Sequence, residues 1–107
     1  MAKRYQTQIT ATAEAEMYAA YQWIANEAPD SAQQWLMGLR DAISSLESFP
    51  ERCPIAQEND LFDEEIRAHL YRTSSVYRIL FTIQQDKVVV LWVRHDARDA
   101  LKPYAGQ

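Results

Sequence analysis

The sequence predicts a single α+β domain. An N-terminal strand and an antiparallel helical hairpin pack on one face of a mainly antiparallel sheet, in the order β-α-α-β-β-β. Three observations carry this. Apolar residues recur at three- and four-residue steps through the first half, with one break at Pro29. From Ile66 to Ile83 the pattern switches to alternation. The length, 107 residues, suits one core and is short for two, so residues 1–107 read as one domain.

The elements follow in order. Residues 3–9, "KRYQTQI", alternate around Tyr5 and Ile9 and read as an edge strand. Thr10 or Thr12 offers a helix N-cap, and Glu14 and Glu16 suit the positive end of a helix as solvated charge. Ala13, Met17, Ala20, Tyr21 and Ile24 then form an apolar stripe, with Trp23 expected in the core. The helix should end near Ala28, because Pro29 disfavours helical backbone in the residue before it. Asp30 or Ser31 can cap a second helix, whose stripe is Trp35, Leu36, Leu39, Ile43, Leu46 and Phe49. Pro50 stops it. The link between the helices is two or three residues, so they should run antiparallel.

Residues 50–65 form a polar loop with two prolines. In "EIRAHLYR", Ile66, Ala68 and Leu70 alternate with Arg67, His69 and Tyr71. "VYRILFTI" sets Tyr77, Ile79, Phe81 and Ile83 against Arg78, Leu80 and Thr82. After the turn "QQDK", the nearly continuous apolar run "VVVLWVRH" suits a central strand. With the helices on one face, the other face should be partly open, and parity places Arg67, His69 and Arg78 on it.

Composition narrows the function. Two glycines exclude a glycine-rich phosphate loop. The lone Cys53 excludes an internal disulfide or a zinc scaffold and reads as an inert thiol. The N-terminus lacks the apolar stretch of a signal peptide, and no run approaches a membrane span of about 20 residues. The cytoplasm is therefore the expected compartment, with no membrane partner and no cofactor. A net charge of −4 argues against coating nucleic acid through bulk electrostatics. The charge is uneven, however: residues 1–60 carry −5 and residues 61–107 carry +1.

The positive side chains gather around one hairpin. Arg67, His69 and Arg78 are expected to converge, with Arg94, His95 and Arg98 near the end of the next strand and Tyr104 on the tail. Guanidinium groups clustered this way suit phosphate or carboxylate, and a histidine among them can move protons near neutral pH. The plainer reading is ordinary surface arginine, with Asp96 and Asp99 pairing Arg94 and Arg98.

The element order, with "SAQQWLMGLRDAISSLESFP", "IRAHLY", "VYRILFTI" and "VVVLWVRHDAR", resembles the RelE/ParE superfamily of bacterial type II toxins, from about Tyr5 to Tyr104. The resemblance implies a single toxin domain, a cognate antitoxin, and one of two activities. ParE-like members inhibit DNA gyrase by binding it; RelE-like members cut mRNA in the ribosome. On the nuclease pattern, Arg67 and Arg78 would hold phosphate and Arg98 would stabilise the pentavalent charge. Tyr104 or His69 would move the protons. A non-toxic member that only binds its antitoxin is a third possibility. The acidic balance, with a pI near 5.1, and the Arg67–His69 pair in place of lysines favour the ParE-like, gyrase-directed reading.

Overall fold

A computed structural model describes residues 3–96. The chain runs β1 (Gln6–Ile9), α1 (Ala11–Ala25), α2 (Pro29–Ser44), β2 (Arg67–Arg72), β3 (Val76–Gln84) and β4 (Lys87–His95), the order expected. The sheet order is β1-β4-β3-β2. β1 lies at the edge and pairs parallel with β4, while the other two pairings are antiparallel. β4 is therefore central, as its apolar run implied.

Thr10 caps α1, its Oγ1 accepting from the Ala13 N–H at 3.1 Å. The helix ends at Ala25, a turn earlier than expected, and α2 begins directly at Pro29. Asp30 and Ser31 are thus inside the first turn of α2 and not its caps. Proline suits that first position because its φ is already helical and its missing N–H would have no helical partner there. Trp35, Leu39, Ile43 and Leu46 are buried as the stripe requires. Two stripe expectations fail. Trp23 is 57% exposed, and Phe49 is 64% exposed, with a left-handed φ of 47°. The chain leaves α2 through a single 3-10 turn at Ser45–Glu47, which swings Phe49 out of the helical stripe.

The helix-facing core joins Met17, Trp35, Leu39, Ile43 and Leu46 to Tyr77, Ile79, Phe81, Val88, Val90 and Val93. Each such side chain, fully buried, contributes about 1.5–3 kcal/mol. A bulge between Leu80 and Phe81 sets Leu80 opposite Trp92 and Phe81 opposite Val90. The extra residue in β4 resets its alternation, so Val88, Val90 and Val93 all face the helices.

The opposite face of the sheet is not open. The 50–65 loop folds across it and buries Ala56 against Ile66, Ala68 and Leu80, while Phe62 lies 5.0 Å from the Trp92 ring. Cys53 is buried within the loop's start, and burial pushes its thiol pKa up. That agrees with an inert thiol.

α1 also seals half an edge. β1 covers β4 only from Lys87 to Val90. Beyond that, the Thr10 hydroxyl donates to the Leu91 carbonyl at 3.2 Å. The Glu16 carboxylate accepts from the Val93 N–H at 2.9 Å and pairs with Arg94 at 2.7 Å. Glu16 is therefore a structural acceptor and not the solvated charge expected of it. Arg94 takes this carboxylate, and not the aspartate expected for it.

Candidate functional site

The expected cation cluster does not form on one face. In β2, Arg67 stands opposite Phe81 and His69 opposite Ile79, both partners being helix-facing core residues. Arg78 stands opposite Leu70 and Arg94, on the loop-covered face. Arg67 and His69 are thus separated from Arg78 by the sheet itself. Alternation in β2 fixes which residues share a face, but both faces are covered, so the pattern could not say which set meets the helices. Tyr71 decides it. Its ring packs 6.2 Å from Trp35, and its hydroxyl donates to the Trp35 carbonyl at 2.9 Å, so the Arg67–His69–Tyr71 set faces the helices.

Arg67 and Arg78 each have protein partners. Arg67 donates to the Glu51 and Cys53 carbonyls at 3.1 and 2.7 Å and pairs with Glu65 at 3.1 Å. It staples the start of the loop to β2. Glu51 also accepts from the Tyr5 hydroxyl at 2.5 Å, which holds the carboxyl below its ordinary pKa. His69 is half-buried; burial first, and then the Arg52 charge, hold its imidazole below the usual value. At neutral pH it is the uncharged form that this setting favours.

Arg78 is 6% exposed. One guanidinium nitrogen donates to Glu58 Oε1 at 2.8 Å, a second bonds Glu58 Oε2, and Nε lies 3.4 Å from Asp96. Glu58 is itself 5% exposed. The hydrogen bonds from Arg78 hold the Glu58 carboxyl below its ordinary pKa and raise that of Arg78. This is a fork-to-fork pair, closed on itself. Glu58 was missed in the sequence because a lone acid in a polar loop carries no periodic signal. His95 packs edge-on to Tyr77 at 5.1 Å. Arg98 and Tyr104 lie outside the described residues.

Two surface clefts flank the exposed Trp23. One, of about 360 Å³, lies between α1 and the end of β4 and includes Glu16, Tyr77 and Arg94. The other, of about 550 Å³, runs from the tip of the helical hairpin to the β2–β3 turn, with Trp35, Tyr71 and Tyr77 on its walls. Its apolar walls and few ionisable groups suit a partner's side chains better than a charged metabolite. Among the described residues no group of three or more His, Cys, Asp or Glu is placed to hold a metal ion, and no helix is long and apolar enough to cross a membrane.

Comparison with known proteins agrees with this architecture. A family model described as the ParE toxin of the type II toxin–antitoxin system, parDE, matches residues 7–100. The search of curated proteins returned no match. Among solved structures, a chain of the chromosomal ParDE toxin–antitoxin system from P. aeruginosa is similar, with a TM-score of 0.70 and 14% identity, covering 86% of this chain and 96% of that one. At that identity the likeness is one of fold.

Proposed function

The chain belongs to the ParE toxin family of type II toxin–antitoxin systems, and from that premise we propose that it acts by binding a protein target, DNA gyrase, without chemistry of its own. We further propose that a cognate antitoxin protein holds it inactive until released. The observation that carries the first reading is the Arg78–Glu58 pair. A nuclease arginine must offer its donors to the scissile phosphate, whereas those of Arg78 are buried and taken by a carboxylate. Arg67 and His69 lie across the sheet from it, which also supports a binding role. The acidic balance fits the same reading, since a polyanionic ribosome repels a chain of net charge −4.

Pulse labelling after induction in a bacterial host tests this. Thymidine incorporation should fall within minutes while methionine incorporation persists, and purified protein should inhibit supercoiling by gyrase. An early loss of methionine incorporation would instead favour mRNA cleavage. Arg67, His69, Arg78, Arg98 and Tyr104 would then become nuclease residues, with Arg78 freed from Glu58 on the ribosome. Growth unaffected by induction would identify a member that only binds its antitoxin.

A further inference from the structure

Most of the sheet's two edges is occupied. On the β4 side, β1 covers one half, and Thr10 and Glu16 bond to backbone groups of Leu91 and Val93 in the other. On the β2 side, the loop pairs with the beginning of the strand. Ile55 bridges Arg67, the Ala56 N–H donates to the Ile66 carbonyl at 2.8 Å, and the Ala68 N–H donates to the Pro54 carbonyl at 3.0 Å. Because the Ala68 N–H points away from β3, alternation points the backbone groups of Leu70 and Arg72 the same way. Among the described residues no backbone group outside the sheet bonds to either. Leu70 is 40% exposed, and Arg72 is exposed and joins none of the ion pairs of the described residues. An edge left bare in this way, with an apolar side chain upon it, is a template for another strand.

We propose that residues 70–72 of β2 take an extended segment of the antitoxin, carrying acidic side chains beside an apolar one, as a fifth strand that continues the line begun by residues 54–56. This rests on the reading that a protein antitoxin holds the chain. Charge selects the occupant. β2 carries Arg67, His69 and Arg72 and no acid. A second copy pairing antiparallel must set outward-pointing residues opposite one another, which places Arg72 opposite the other copy's Arg72 or, shifted by one step, opposite Leu70 with the two Arg72 side chains diagonal to each other. Like charges directly opposed destabilise a sheet, whereas a carboxylate there is favourable. The apolar side chain of the incoming strand covers Leu70, and the main-chain bonds supply affinity without demanding a particular sequence.

Amide hydrogen exchange tests this, on the full chain alone and on the complex purified after co-expression with its cognate antitoxin. In the complex the Leu70 and Arg72 amides should exchange at least about 100-fold more slowly than in the free chain. Arg72→Glu should weaken the complex about tenfold, and more at low salt than at high. A complex that forms with both amides as fast as in the free chain overturns the proposed edge while leaving the antitoxin reading intact. Failure of any complex to form overturns both. Protection that rises with the concentration of the free chain overturns it in favour of self-pairing. Unchanged affinity in Arg72→Glu overturns the acidic partner strand.

Discussion

Glu58 and Arg78 show how one residue pair can change the meaning of a strand. Both are almost fully buried, so removing one strands the other's charge. Glu58→Ala or Arg78→Ala should therefore cost about 3–5 kcal/mol in chemical denaturation. Loss of toxicity in Arg78→Ala would then reflect unfolding, and toxicity assays of that variant need a stability measurement beside them. Acid should act through the same pair. The folded-state pKa of Glu58 lies below its unfolded value of about 4.3, so its contribution is complete above that value. It is lost as pH falls through the depressed folded value. Glu58→Gln should flatten that part of the stability–pH curve, seen as a midpoint that changes less between neutral pH and about pH 3. Gly38 carries a second constraint of this scale. A Cβ built there would run into the Tyr71 hydroxyl oxygen, which is held in place by the Trp35 carbonyl. Gly38→Ala should destabilise by about 1–3 kcal/mol, and adding Tyr71→Phe should recover part of that loss in thermal denaturation.

At the scale of the element, most of the fold was legible. The helical stripes, the proline break and the alternation of β2 and β3 each follow from local periodicity and gave the right order. What was not legible lies where tertiary contacts override local pattern. The faces of β2 depended on Tyr71 reaching α2. The covering of the second face depended on a loop whose apolar residues, Ala56 and Phe62, are too sparse to show a period. Glu16 looked like helix-end charge because its role is set by β4, far along the chain. That role yields an expectation of its own. Glu16→Ala removes the acceptor for the Val93 N–H and the partner of Arg94, and should cost about 1.5–3 kcal/mol. It should also raise self-association by baring the edge, read by sedimentation. As for the candidate site, the sequence located the cations but not their partners, so a cluster expected from parity resolved into two groups on opposite faces of the sheet.

At the scale of the whole molecule, the described surface offers places to dock: two clefts beside Trp23, and a short length of bare strand. On the proposed reading, a toxin that works by occupying another protein needs such surfaces. The position of β4 adds a constraint in time. Of the described strands, β4 at the centre of the sheet is the last to be synthesised, and β1, which precedes both helices, has no strand beside it until Lys87 to Val90 arrive. Closing so long a loop is entropically costly and slow. A chain still on its ribosome therefore holds a helical hairpin and a two-stranded ribbon with a gap where their common neighbour belongs. The cleft between α1 and the end of β4, walled in part by Val93 and Arg94, therefore comes into being only when the last of the described strands is made.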